Sequence, residues 1–349
     1  MDKNKKAHIL VVRLSAMGDV AMTVPVLNAL VRQYPHLRLT VLTRGFFKPM
    51  FAQLNNVAVF EADVKGRHKG VFGLYKLYRE LSKLQIDGVA DLHNVLRSNV
   101  LKAYFKLGGV PFFQIDKGRD EKRALTARKN KVFKPLKTTH QRYADVFEAL
   151  GFPIDLKGAL SMSRQKCPEK VYELVGREAR PWIGIAPFAA FRGKMYPLGH
   201  MQRVIEQLNA LDKYKILLFG GGDDERNKLA KIAKANKNAF NMVGELSFPE
   251  ELALISNLDL MLSMDSGNGH LAAMYGVPVI TIWGVTHPYA GFYPFGQDPD
   301  NALLADRNLF PLIPTSVYGN KMPEGYERAM ETITPDDVLA KIDRVLVTP

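Results

Sequence analysis

DLMLSMDSGNGHLAAMYGVPVITIW, residues 259–283, reads as one unit of an α/β fold. Residues 259–263 form an apolar run of strand length. A glycine-rich polar turn follows, LAAM leads on as a helix, and 278–283 is again β-branched and aromatic. Two strands joined by a helix lie parallel. An apolar run without alternation marks a strand covered on both faces. The pattern therefore predicts a mainly parallel, doubly wound sheet.

The same alternation extends in both directions. Upstream, 182–186 and 215–219 are strand-like, with helical stretches at 201–211, 226–235 and 249–256. An earlier block repeats the theme. Strands are expected at 8–14, 38–43, 57–60 and 88–91, and helices at 20–33, 74–84 and 143–150. Pro153, Pro168 and Pro181 punctuate the stretch between the blocks. The reading is a first domain over residues 1–160, a linker over 161–181 and a second domain over 182–330. The last segment, 331–349, opens on Thr334-Pro335-Asp336-Asp337, with a good N-cap, a proline at the first helical position and acids at the positive dipole end. Val338, Leu339, Ile342, Val345 and Leu346 give that helix one apolar stripe, expected to pack on the first domain.

Composition narrows the function classes. The chain has 349 residues, 47% hydrophobic and 24% charged, with a net charge of +13. Its apolar runs are far shorter than the ~18 residues needed to span a bilayer. The charged opening, residues 1–6, precedes an apolar patch too short for a signal peptide. Cys167 is the lone cysteine, which excludes disulfide scaffolds and cysteine-rich metal sites. A cytoplasmic protein is expected. Residues 1–150 carry 27 Lys and Arg against 12 Asp and Glu, and residues 117–142 alone hold ten basic side chains. So uneven a field favours an anionic partner: phosphate, nucleic acid or a membrane surface. A solvated, solubilising face is the plainer alternative.

In open α/β sheets ligands bind beyond the carboxyl ends of the strands, so the loops there are the candidates. Ser15-Ala16-Met17-Gly18-Asp19 follows the first strand. Gly18 permits a tight turn, and Asp19 near a helix start is either a cap or a proton acceptor for an attacking hydroxyl. Residues 186–197 (APFAAFRGKMYP) offer Lys194, able to neutralise a departing diphosphate. Gly220-Gly221-Gly222-Asp223-Asp224-Glu225 departs from the dinucleotide fingerprint. Asp223 and Glu225 either bind ribose hydroxyls or simply start a helix. In the opening stretch, Asp265 suits sugar hydroxyls, and the amides of Ser266, Gly267 and Asn268 suit an anion. His270 reads as a packing or orienting residue. Asp298-Pro299-Asp300 spells D-x-D, but no strong strand precedes it, and no metal site is assigned there.

With these segments together the chain resembles glycosyltransferase family nine, the ADP-heptose:lipopolysaccharide heptosyltransferases. The resemblance is carried by RLSAMGDVAMTVPVLNAL (13–30), GKMYP (193–197), SMDSGNGHLAAMYGVPVITIWGVTHP (263–288) and, more weakly, DLHNVLRSN (91–99). It implies a GT-B fold: two Rossmann-like domains facing a central cleft, acceptor on the first and donor nucleotide on the second, with the C-terminal helix crossing back. It implies inverting transfer without a bound metal or other cofactor. By position, Asp19 matches the catalytic base and Lys194 the lysine on the donor phosphate. Asp265 matches the acid on the donor sugar, Ser266 to Asn268 the anion loop, and His270 its histidine. Gly18, Asp223 and Glu225 complete the expected donor set. Ala189-Ala190 stand where the family often has two threonines.

The implied acceptor is an anionic, lipid-linked inner-core saccharide. Arg67, Lys69, Arg97, Arg119, Arg123 and Arg142 are the candidates to bind it, with peripheral contact at the inner face of the inner membrane. A nucleotide-sugar epimerase or hydrolase is the rival enzyme. A nucleic-acid partner is disfavoured, because no helix-turn-helix, RNP or zinc-finger pattern is present.

Overall fold

A computed structural model of the chain describes residues 6–347. The charged opening falls outside that range apart from Lys6, as do residues 348–349 of the last segment. The chain divides into two compact units, 1–117 with 139–162, and 118–138 with 163–349.

The first unit runs β1 (Ala7–Val12), α1 (Met17–Ala21), α2 (Thr23–Gln33), β2 (Leu37–Thr43), β3 (Val57–Glu61), α3 (Gly70–Ser82), β4 (Gly88–Asp91), α4 (Leu96–Leu107) and β5 (Phe112–Gln114). After an excursion that carries α5 (Arg119–Leu125), it closes with α6 (Thr139–Ala149). Its strands are all parallel, in the order β3-β2-β1-β4-β5. Ile9, Leu10, Val11 and Val12 are all buried, which explains the unbroken apolar run of β1. Leu10 and Val12 join Leu74, Leu77 and Leu81 of α3 and Leu101 and Phe105 of α4 in one core.

The expected helix over 20–33 is two helices, breaking at Met22. Pro25 has no N–H to offer Ala21, so one continuous ladder cannot form there. Gly18 lies inside α1 and is not among the glycines with positive φ. The tight turn expected of it is absent.

The second unit holds α7 (Glu169–Val175), β6 (Trp182–Ala186), α8 (Leu198–Ala210), β7 (Lys215–Leu218), α9 (Gly222–Ala235), β8 (Ala239–Asn241), α10 (Phe248–Ile255), β9 (Leu260–Met264), α11 (Gly267–Met274), β10 (Val279–Trp283), β11 (Ala302–Leu304) and α12 (Pro335–Val347). Its parallel sheet has the order β11-β10-β9-β6-β7-β8. One core joins Ile183 and Ile185 of β6 to Met201, Val204 and Ile205 of α8 and to Leu229 and Ile232 of α9.

Two boundaries differ from expectation. Residues 118–138, read as part of the first domain, group with the second unit. The stripe of α12, expected to pack on the first domain, contributes to the core of the second unit. Val338 and Ile342 lie in the second unit's core, where α12 packs on α8. Thr334 does cap that helix, its Oγ1 accepting from the Asp337 amide at 3.1 Å.

In each sheet the chain reverses direction of growth once, between β1 and β4 in the first and between β6 and β9 in the second. Crevices at such reversals are where doubly wound sheets bind ligands.

Candidate active site

The loops after β6 and β9 flank the reversal in the second unit. After β6 a short 3₁₀ turn, Arg192–Lys194, carries the lysine. Three glycines let it lie close to its neighbours. A Cβ on Gly193 would sit 2.5 Å from Val285 Cγ2, and one on Gly284 would sit 2.5 Å from the Gly193 carbonyl oxygen. Gly319, at φ +77°, makes room for the aliphatic stem of Lys194, which a Cβ there would overlap. Seated this way, Lys194 Nζ reaches Asp265 Oδ2 at 2.8 Å, the two side chains being 16% and 7% exposed. Thr286 Oγ1 donates to the same oxygen at 3.0 Å. Asp265 Oδ1 takes no hydrogen bond among the described residues. The chemistry is that of a fixed carboxylate with one free acceptor, beside a cation an arriving anion can share.

Ser266 is the N-cap of α11, with extended backbone, and residues 266–268 are partly exposed while Gly269 to Met274 are buried. The helix is enclosed except at its start, where its unbonded amides face outward. Ser266 Oγ is buried without a hydrogen-bond partner among the described residues. An anion at this end would meet Ser266, Gly267 and Asn268 together. Gly269 is needed for packing, since a Cβ there would lie 2.6 Å from Ser263 Oγ. His270 is buried in the first turn.

The loop after β7 is less committed to a ligand. Asp223 is exposed at the start of α9. Glu225 Oε2 accepts from the Gly221 amide at 2.7 Å, which caps that helix and accounts for the residue without a ribose.

In the first unit the reversal is flanked by the loops after β1 and β4. Asp19 Oδ2 accepts from the Ala16 amide at 3.3 Å and is ion-paired to Arg13 Nη2. Arg13 is itself buried, and its Nη1 donates to the Leu92 carbonyl at 2.7 Å, tying the β1 loop to the β4 loop. Tyr143 Oη donates to the Asp19 carbonyl at 3.3 Å from α6. Asp19 Oδ1 takes no hydrogen bond among the described residues, and the side chain is 28% exposed. The carboxylate is thus held by one oxygen and open at the other.

Behind it, buried Asp91 accepts from the His93 and Asn94 amides at 2.9 and 3.0 Å and from Gln114 Nε2 at 2.8 Å, fixing the loop. His93 is pushed down to about 3 by burial first, then by Arg13 and Lys117. Its imidazole is neutral at physiological pH, and Nδ1 is buried with no hydrogen-bond partner among the described residues.

The six basic residues expected at an acceptor do not form one set. Arg67 pairs with Glu80 at 3.2 Å, while Lys69 and Arg97 stand exposed at the starts of α3 and α4. Arg119 and Arg123, exposed on α5, belong to the second unit. Arg142 is only 4% exposed and holds Asp116, through its carbonyl at 3.3 Å and its carboxylate at 3.7 Å. That enclosure makes it an organiser of the β5 loop and not an open contact. Asp298, in the D-x-D, caps its own turn through the Asp300 amide at 2.9 Å.

Arg13, His93 and Thr286 sit within the sequence motifs but carry no local signal of their own. Their partners come from other strands, which the topology alone reveals.

Comparison with known proteins bears on this site. The sequence model of glycosyltransferase family 9 (heptosyltransferase) matches residues 74–306. Lipooligosaccharide heptosyltransferase 2 of Haemophilus ducreyi is 27% identical over 97% of this chain and 99% of its own. The family 9 glycosyl transferase of Veillonella parvula superposes with a TM-score of 0.76 at 20% identity, covering 98% of both chains. Escherichia coli ADP-heptose lps heptosyltransferase II does so with a TM-score of 0.68 at 21% identity, covering 97% of this chain and 98% of its own. The chain's own two parallel Rossmann-like sheets and this likeness make it a GT-B fold. The chain belongs to glycosyltransferase family 9, the heptosyltransferases.

Proposed function

We propose that this enzyme transfers heptose from ADP-heptose to an anionic inner-core saccharide of lipopolysaccharide, inverting the anomeric centre. The names of the relatives support that donor and that acceptor class. The observation that carries the reading is the Lys194–Asp265–Thr286 constellation against the start of α11. It offers a cation and free amides to a diphosphate and a fixed carboxylate oxygen to sugar hydroxyls.

Asp19 removes the proton from the acceptor hydroxyl, whose oxygen bonds to the anomeric carbon as the bond to the diphosphate oxygen breaks. Negative charge collects on the departing ADP. Lys194 and the α11 amides stabilise it, which is the part Mg²⁺ plays in other transferases. Inversion follows from a single displacement. The acceptor is held by basic side chains of the first unit, Arg67, Lys69 and Arg97 foremost. Among the described residues no helix is long and apolar enough to cross a membrane. Contact with the inner face of the inner membrane is therefore peripheral in this reading.

The test is product analysis with ADP-heptose and a lipopolysaccharide acceptor. Wild type should release ADP and glycosylate the acceptor with EDTA present. Asp19→Asn should lose about 10²–10⁴ in kcat with ADP affinity little changed. ADP release without an acceptor at the same rate would identify a hydrolase and sink the proposal. So would an Asp19→Asn enzyme as active as wild type.

A further inference from the structure

The second unit carries a second polar cleft, of about 590 Å³, whose lining includes neither Lys194 nor Asp265. One wall is the end of α5 and the turn after it; the other is the segment before α12, residues 312–323. Three cations line it, Arg123, Arg128 and Lys321, and no acid does. Arg128 and Lys321 make no side-chain hydrogen bond or ion pair among the described residues. Arg123 has only a solvent-exposed partner, Asp120 at 3.1 Å, from which water and salt readily release it. Asn320 Oδ1 accepts from Ser316 Oγ at 2.8 Å, which leaves its Nδ2 as a donor. The hydroxyls of Thr126 and Thr315 already donate to the Lys122 and Lys321 carbonyls, so the cations and Asn320 are the groups left to meet a ligand.

The walls are fastened together. Lys131 Nζ donates to the Leu125 carbonyl at 2.7 Å and to the Pro314 carbonyl at 2.9 Å, one from each side. Burial, with Arg307 nearby, lowers that lysine to about 8. Three like charges held around one cleft repel each other, and a multiply charged anion relieves that repulsion with charge-assisted hydrogen bonds. Leu312, Met322 and Pro323 give the cleft an apolar side, suited to a carbon skeleton.

We infer that this cleft is a binding site for the phosphomonoester of a phosphorylated saccharide, gripped by Arg123, Arg128, Lys321 and Asn320. That the sugar phosphate is one borne by the acceptor rests on the function proposed above; the anion site itself does not.

Calorimetry on the full chain, with ADP in excess to fill the donor site, tests it. Glucose 1-phosphate should bind and uncharged glucose should not. Arg128→Glu with Lys321→Glu should weaken glucose 1-phosphate binding at least tenfold while ADP affinity and melting temperature stay unchanged. Binding that the paired variant leaves intact, or no binding by wild type, would overturn the site. Inorganic phosphate binding as tightly as the sugar phosphate would overturn the saccharide part. So would sedimentation with phosphatidic acid vesicles in the absence of any soluble binding, since it would assign the cleft to a lipid headgroup. In a transfer assay the paired variant should lose the preference for a phosphorylated over a dephosphorylated acceptor. If no acceptor is glycosylated at all, the enzymatic proposal fails while the calorimetric result stands.

Discussion

As the proposed base, Asp19 needs its open oxygen to point one way, and Arg13 is the residue that holds the other oxygen. The guanidinium bridges the Asp19 carboxylate and the Leu92 carbonyl, spanning the two loops at the sheet reversal. Arg13→Met removes the bridge and leaves the carboxylate free to rotate. Misplacement of a reacting group by about 1 Å can cost up to ~10² in rate, so kcat should fall ~10–10²-fold with KM nearly unchanged. Arg13→Lys keeps the charge but not the fork, and should recover part of the loss. Steady-state kinetics on both variants decide this; an unchanged kcat for Arg13→Met would remove Arg13 from the mechanism. The same residue shows what was legible in the sequence. Asp19, Lys194 and Asp265 each lie in a strand-end loop whose residue types announce themselves. Arg13 lies in the first of those loops and Thr286 in the loop after β10, but what they touch depends on which strands are neighbours. Glu225 illustrates the converse, an acid in a promising loop whose nearest use is to cap its own helix.

Among elements, the loop around Lys194 depends on a distant glycine. Gly319 adopts φ +77°, where a side chain is strained, and a Cβ would overlap the Lys194 stem. Gly319→Ala should therefore both cost roughly 1–2 kcal/mol in strain and displace the lysine, weakening ADP binding several-fold. Gly325, at φ +84° with nothing within 4 Å, is the control: Gly325→Ala should cost the strain without touching ADP affinity. Equal ADP affinities for the two variants would dissociate Gly319 from the site.

Helix α10 makes a different prediction. Glu251 lies in its first turn, where the dipole favours a carboxylate by about 0.3–1 kcal/mol, yet burial pushes the group up to about 7. The folded chain then holds a proton that the unfolded chain releases near 4.5. Stability falls as pH rises between those values, and the loss is complete above the upper one. Glu251→Gln should gain roughly 1–3 kcal/mol at pH 8 and nothing at pH 4, read by chemical denaturation. Parallel pH profiles for the two proteins would refute it. Strong strands and two-faced helices such as β6, β9 and α8 were readable from apolar pattern. β5, β8 and β11 have three residues each, too few to display a period. The stripe of α12 revealed that it must dock but not where, because an apolar face fits any core.

Over the whole molecule, charge is what the linear sequence distorts most. The excursion 118–138 carries eight Lys and Arg against two acids, and its place in the second unit turns that unit from slightly acidic to basic. Both units therefore carry net positive charge, and charge alone does not assign an anionic partner to one of them. The first unit adds an apolar element to its charge. Val71 and Phe72, at the start of α3, are 59% and 91% exposed. Lys65, Arg67 and Lys69 precede them, and Lys76 lies one turn on from Phe72. An exposed aromatic amid cations matches the interface of an anionic bilayer, where the ring inserts and each basic residue adds about 1 kcal/mol. Reversing the charge at Lys65 and Lys76 should weaken binding to phosphatidylglycerol vesicles by ~10-fold or more, at that energy per residue. Phe72→Ser should weaken it further, while neither change touches ADP affinity, because the donor site proposed above is built from residues of the second unit. Raising the salt should abolish the part due to charge and leave the smaller part due to Phe72. Sedimentation that ignores salt and all three substitutions would mean this face does not meet a membrane.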